Sequence, residues 1–243
     1  MRLDKFLSHT GFGSRKEVKV LLKQKKVVVN DKVASKGEMK VDLNQDQVVV
    51  NGERIQYQEF HYLMLHKPAG VLSATEDMKQ KTVIDLLSEE YQHLNLFPVG
   101  RLDKDTEGLL LLTNDGELAH FLLSPKKEVA KRYYARVAGI MDEADCEAFK
   151  NRIVLEDGFE CLPGELEIKS VDEEKQESEV FITIKEGKFH QVKRMVKASG
   201  KEVTYLKRLT MGSLVLDPKL QLAEYRYLTE SELADLKAYL PNK

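Results

Sequence analysis

The chain has 243 residues, 42% hydrophobic and 32% charged, with a formal net charge of −2. That length suits two domains, or one with an appendage, and is long enough to bury a real core, and no apolar run approaches the ~20 residues of a bilayer-spanning helix. The N-terminus is charged from Arg2 onward, without a signal peptide's apolar segment, and Cys146 and Cys161 make no metal-type pair. A reducing, cytoplasmic setting is therefore expected, with no metal site and no disulfide framework.

The near-neutral total hides an asymmetry. Residues 1–58 carry 12 Lys+Arg against 7 Asp+Glu, whereas the rest carries 26 against 33. A locally basic module of this kind can supply phosphate contacts in a protein of unremarkable overall charge. Leu3, Phe6 and Leu7 have helical spacing, and Thr10-Gly-Phe-Gly13 breaks the pattern. Ser14 and Glu17 form a capping box that predicts a second helix, burying Val18, Leu21 and Leu22 and leaving Arg15, Lys16, Lys19 and Lys23 outside. Valine runs at 27–29 and 48–50, each followed by an Asn-containing turn, predict two strands. A solvated helix with a lysine-rich face is the plain alternative, but the excess is one-signed, with 9 basic and 3 acidic residues over 14–40. Residues 59–61 read as a linker to a second domain at 62–243.

A short apolar strand at 61–66 opens that domain and is turned by Lys67-Pro-Ala-Gly70, whose Pro and Gly shape backbone rather than react. Residues 83–87 have helical apolar spacing. The densest stretch follows at 98–116. Asp103, Asp105 and Glu107 alternate beside Arg101 and Lys104, bracketed by Gly100 and Gly108. Leu109 to Leu112 then read as a buried strand, closed by Asn114-Asp-Gly116. A charged loop on the end of a rigid core element is a common way to place reactive groups. Two other readings fit parts of it. A self-paired surface loop is one. A calcium loop is the other, although Asn114 stands where an EF-hand has its bidentate Glu.

Residues 117–123 predict a helix. Lys126, Lys127, Lys131 and Arg132 then lead into a strand on which Tyr133, Ala135 and Val137 share one face. Residues 142–179 carry 14 acidic and 4 basic side chains, read as a solvent-facing side without chemistry. After a strand at 180–184, residues 185–208 turn basic again, with 8 basic and 2 acidic side chains. Thr229 and Glu232 form a capping box for a terminal helix.

The run Gly100-Arg-Leu-Asp-Lys-Asp-Thr-Glu-Gly108, with the leucines and the Thr-Asn-Asp-Gly after it, resembles the catalytic motif of the bacterial rRNA pseudouridine synthases of the RsuA/RluB family. Lys67-Pro-Ala-Gly70 resembles that family's first motif, and Glu186-Gly-Lys-Phe-His-Gln-Val-Lys-Arg-Met195 its third. The opening Arg2-Leu-Asp-Lys-Phe-Leu7 and the Ser14-Arg helix start resemble the small RNA-binding fold named after ribosomal protein S-four. Ala223 departs from a glycine usual in that region of the family.

The resemblance implies an α+β protein: a small N-terminal RNA-binding module and a catalytic domain on a mixed, largely antiparallel sheet, with the cleft across its middle. It implies uridine isomerisation without a cofactor. Asp103 would be the catalytic carboxylate, Tyr133 would pack on the target base, and Lys193 would orient Asp103 and balance its charge. Whether Tyr133 or the adjacent Tyr134 faces the base depends on strand register. Arg2, Arg15, Lys16, Lys19, Lys23, Lys131 and Arg194 would contact RNA, and Arg101 would fill the space left by the flipped uridine. The His190-Gln191 pair resembles the small-subunit branch, whose target is the 16S rRNA uridine conventionally numbered 516. A 16S partner within a small-subunit assembly intermediate and a monomeric enzyme are the corresponding expectations. The alternatives are the same chemistry on 23S rRNA, a non-catalytic RNA-binding assembly factor, and a glycosidase-like hydrolase using Asp103 and Asp105.

Overall fold

In a computed structural model, which describes residues 1–240, the chain divides into two compact units. The first comprises residues 1–61 and 84–97, the second residues 62–83 and 98–243, the last three of which lie outside the described residues.

The first unit opens with helix α1 (Leu3–His9) and helix α2 (Arg15–Lys23). A four-stranded antiparallel sheet follows, with β1 (Val27–Val29), β2 (Lys32–Val33), β3 (Val48–Val50) and β4 (Glu53–Ile55) in the order β2-β1-β3-β4. The capping box at Ser14 forms as the sequence predicts: its hydroxyl accepts from the Glu17 amide while Glu17 accepts from the Ser14 amide. Leu3, Phe6 and Leu7 of α1 and Val18 and Leu22 of α2 pack with the alternate valines of β1 and β3 in one core. The helical spacing at 83–87 gives only a single 3₁₀ turn, Ile84–Leu86, and α3 (Glu89–Gln92) follows it within this unit.

The second unit is built on a nine-stranded sheet. Its strands are β5 (Tyr62–Lys67), β6 (Phe97–Pro98, of which only Pro98 falls in this unit), β7 (Glu107–Thr113), β8 (Lys131–Ala138), β9 (Glu165–Asp172), β10 (Glu177–Ile184), β11 (Glu202–Met211), β12 (Leu214–Val215) and β13 (Tyr225–Tyr227). The main path runs β13-β5-β7-β11-β8-β10-β9, with β6 beside β7 and β12 beside β11. β7 and β11 are parallel, and the other neighbours along that path are antiparallel. The helices are α4 (Gly116–Leu123), α5 (Glu143–Lys150), α6 (Gln191–Ala198) and α7 (Glu230–Lys237), the last started by the predicted capping box at Thr229. This is the mixed, largely antiparallel α+β sheet expected from the sequence.

The middle of the sheet follows from composition. Leu109 to Leu112 of β7 have no exposed surface, so this strand is covered on both faces and reads as a continuous apolar run. β8 alternates instead, burying Lys131, Tyr133, Ala135 and Val137 and turning Arg132, Tyr134 and Arg136 the other way. Among the described residues, no helix is long and apolar enough to cross a membrane.

Candidate active site

The charged loop lies at the entrance to β7, and one residue of β5 holds it there. Lys67 has no exposed surface, and its ammonium donates to the carbonyls of Asp103 (3.1 Å), Lys104 (3.3 Å), Thr106 (2.8 Å) and its own neighbour Pro68 (3.0 Å). Burial pushes this lysine down to about 8, against the pull of the nearby Asp105, Asp103 and Glu107. The loop is also tied by Ser73, whose hydroxyl donates to the Leu102 carbonyl (2.9 Å) and accepts from the Leu102 amide (3.1 Å). From the sequence the Lys67-Pro-Ala-Gly70 turn has a shaping role through its Pro and Gly, and the lysine does not stand out. Its only signal is position, a cation closing an apolar strand.

The three alternating carboxylates part company. Glu107 accepts a hydrogen bond from the Tyr205 hydroxyl at 2.6 Å. Asp103 and Asp105 both meet Lys193 of α6, whose ammonium lies 3.2 Å from Asp103 Oδ2 and 2.6 Å from Asp105 Oδ1. Burial works to lower the Lys193 pKa, but the bonds to Asp105 and Asp103 outweigh it and the net shift is upward. Asp105 is held below the usual carboxylate range by its bond to Lys193. His190, in the left-handed conformation just before α6, brings Nε2 to 3.5 Å from Asp103 Oδ1. In the sequence His190 stands only as a branch marker, and nothing around it signals this approach.

Asp103 and Lys193 line a small cavity together with Arg101, Thr106, Lys131, Tyr133, Leu206 and Arg208. A wider cavity of about 760 Å³ lies beside it, also bordered by Arg101 and Asp103 and edged by Pro125, Lys185 and Phe189. Tyr133 is 8% exposed and faces the small cavity. Tyr134 points to the opposite face of β8, against Phe181 and Tyr205. The register therefore separates the two tyrosines.

The other sequence-predicted contacts divide. Arg15, Lys16, Lys19 and Lys23 are exposed along α2. Arg2 is exposed but forks onto Asp4 at 3.0 and 2.7 Å. Arg101 is exposed at the cavity. Arg194 pairs with Asp157 at 2.6 Å, so a phosphate would have to displace that carboxylate. Lys131, expected on an open basic approach, is instead 7% exposed with its ammonium on the Val129 carbonyl (2.8 Å), because the β8 alternation turns it inward with Tyr133. It lines both cavities.

The arrangement offers an aimed carboxylate and a largely buried aromatic ring around one small cavity. Comparison with known proteins identifies the class. The profile described as RNA pseudouridylate synthase matches residues 61–198, and the S4 domain profile matches residues 1–46. A Bacillus subtilis (strain 168) protein named uncharacterized RNA pseudouridine synthase YtzG is 51% identical, covering 96% of this chain and 97% of its own. The ribosomal small subunit pseudouridine synthase A of Vibrio cholerae is 41% identical over 97% of this chain and 99% of its own. The ribosomal large subunit pseudouridine synthase B of Bacillus subtilis is 42% identical over 98% and 96%. A crystal structure of a pseudouridylate synthase superposes with a TM-score of 0.67 at 33% identity, covering 97% of this chain and 99% of that one. Matched in both segments, and aligned with these relatives over almost their whole lengths, the chain belongs to the RsuA/RluB-like family of RNA pseudouridine synthases.

Proposed function

We propose that this enzyme isomerises a uridine of ribosomal RNA to pseudouridine, with Asp103 as its catalytic carboxylate and 16S rRNA as its substrate. The observation that carries the proposal is the Asp103 carboxylate 3.2 Å from the Lys193 ammonium, beside a cavity that Tyr133 lines. The target uridine leaves its stack, at a cost of a few kcal/mol, and enters that cavity. Tyr133 packs against the uracil, and Lys193 orients Asp103 and balances its charge. Arg101, exposed at the cavity, fills the vacated place in the RNA. Asp103 acts on the ribose or the base, by attack at C1′, addition at C6 or proton removal from C2′. Glycosidic cleavage, rotation of the base and C5–C1′ bond formation conserve every atom, so no co-reactant enters the balance.

The named relatives divide between small-subunit and large-subunit synthases at nearly equal identity. The small-subunit reading rests on the His190-Gln191 pair in the third motif. The two buried free cysteines accord with a reducing, cytoplasmic setting. We expect the enzyme to act as a monomer on a small-subunit assembly intermediate.

The test uses rRNA tritiated at uracil C5. Wild type and Asp103→Asn are incubated with a 16S fragment, a 23S fragment and partly assembled small subunits. Stoichiometric release from the 16S substrates, abolished in the mutant, is the expected result. Release from 23S alone would keep the chemistry and overturn the substrate. Salt-sensitive binding without release on any substrate would favour the assembly-factor reading.

A further inference from the structure

Two cations are buried at the floor of the small cavity, and neither has a carboxylate within 4.0 Å among the described residues. Arg208 of β11 is 2% exposed. Its Nε donates to the Leu109 carbonyl at 2.9 Å, but its Nη2 is buried without a hydrogen-bond partner. Lys131 of β8 is close enough for the two charges to be felt, and its ammonium reaches only the Val129 carbonyl. Glu186 is the opposing charge, yet its Oε1 already accepts from the Leu162 amide and from Gln191. Burying an unpaired charged donor is expensive, and such groups are rare in folded proteins. The backbone is shaped to keep Arg208 there. It pairs across the sheet with Tyr133, and the ladder shifts register immediately after it, between Arg208 and Thr210. Register shifts of this kind re-aim side chains beside active sites. On the other side, Gly108 at φ +112° lets the β7 backbone close on Arg208, whose carbonyl a Cβ would meet at 2.2 Å.

We infer that Arg208, with Lys131, forms a preorganised cationic floor that holds the target uracil as an anion once its glycosidic bond has broken. The inference rests on the isomerase reading and names the group that stabilises its detached base. When N1–C1′ breaks, the bonding pair remains on the base and spreads over N1, O2 and O4. Donors fixed where that charge develops lower the barrier and require no reorganisation during the reaction. The floor also keeps the anion from escaping while it turns. C5 then bonds the electron-deficient C1′ left by the cleavage, using the same ring electrons; the C5 proton is lost to water and N1 takes one up from water, so no proton is gained or lost overall. Because guanidinium only donates, it suits O2 and O4 of uracil and repels the exocyclic amino group of cytosine.

The experiment compares binding of two free bases at neutral pH by calorimetry: uracil, which is neutral, and 5-nitrouracil, which is anionic. Wild type should prefer 5-nitrouracil by about tenfold or more, the scale of a charge-assisted hydrogen bond. Asp103→Asn should keep that preference, Arg208→Lys should keep most of it, and Arg208→Gln and Lys131→Met should each reduce it. Thermal unfolding of each variant separates lost folding from lost binding. Equal affinity for the two bases, or no measurable binding of either, overturns the cationic floor. A preference undiminished in folded Arg208→Gln overturns the role of Arg208. Tritium release by the same wild-type preparation reports on the isomerase reading independently. Preferential 5-nitrouracil binding without any release would sink that reading and leave the anion site standing.

Discussion

Lys67 lines neither of the two cavities, yet four carbonyls converge on its ammonium, three of them from the loop that carries Asp103. Replacing it with Met strands those acceptors in a buried site. Lys67→Met should therefore lose about 3 kcal/mol of stability, measured by denaturant unfolding, and should lower kcat by loosening Asp103. Its pH signature has a definite sign. The folded-state pKa of about 8 lies below the ordinary 10.5, so between those values the unfolded chain holds a proton that the folded chain has released. Stability contributed by this group rises with pH across that window, a rise that Lys67→Met should lack. Lys131 gives a second pH handle. Burial and the Arg208 charge push it down to about 8 against Glu186. Because the protonated form is the one that supports the uracil anion, turnover on rRNA should fall as pH rises through about 8. In Lys131→Met that fall should be shallower, leaving only what Lys67, which titrates in the same range, contributes through the Asp103 loop.

These residues also mark where sequence reading ran out at this scale. The Asp103–Lys193 pair was legible because both residues sit in recognisable motifs, although the shorter bond to Asp105 was not. Lys67 and Arg208 were not legible. A cation at the end of an apolar strand ordinarily extends its head to water, and nothing nearby in sequence announces carbonyls 36 to 39 residues away. Lys131 was misjudged as an open contact because a lysine beside other basic residues reads as surface, whereas the alternation of β8 decides its direction.

Among the elements, the valine strands of the first unit, the leucine strand of β7 and the capping boxes at Ser14 and Thr229 all declared themselves through local pattern. Two others did not. β9 buries Leu166 while Glu165 and Glu167 face outward, so an acidic run concealed a strand. β11 was read only as part of a basic segment, because its parallel pairing with β7 joins residues about a hundred positions apart. That pairing depends on Gly108, where a Cβ would meet the Arg208 carbonyl at 2.2 Å and amide nitrogen at 2.6 Å in a backbone conformation that L side chains rarely adopt. Gly108→Ala should therefore destabilise the second unit by about 3 kcal/mol or more and abolish activity in whatever fraction still folds. Thermal unfolding and tritium release on one sample read both effects. Ser14→Ala should be milder. Losing the cap of α2 costs about 1 kcal/mol, and the loss should appear as weaker RNA binding with the single-turnover rate at saturation unchanged.

At the scale of the whole molecule, the α+β character was legible from the motifs, whereas the inclusion of residues 84–97 in the first unit was not. A short segment leaving and re-entering a domain leaves no compositional boundary. The charge split carries the prediction that concerns the molecule as a whole. Lys16, Lys19 and Lys23 are exposed along α2, while the Asp103, Lys193 and Tyr133 constellation belongs to the other unit. If the lysines neutralise phosphates, each one releases counterions on binding. The slope of log K against log salt should then become shallower by about 0.7 to 0.9 per lysine removed. The triple alanine variant should therefore shed about 2 to 3 from that slope and bind RNA more weakly at every salt concentration. Its single-turnover rate at saturating RNA should match wild type, because the cavity retains every one of its groups. An unchanged slope would remove this helix face from the RNA interface. An unchanged slope with a lower saturated rate would instead mean that the helix acts on the chemistry, so the two units would have to be energetically coupled rather than divided between gripping and reacting.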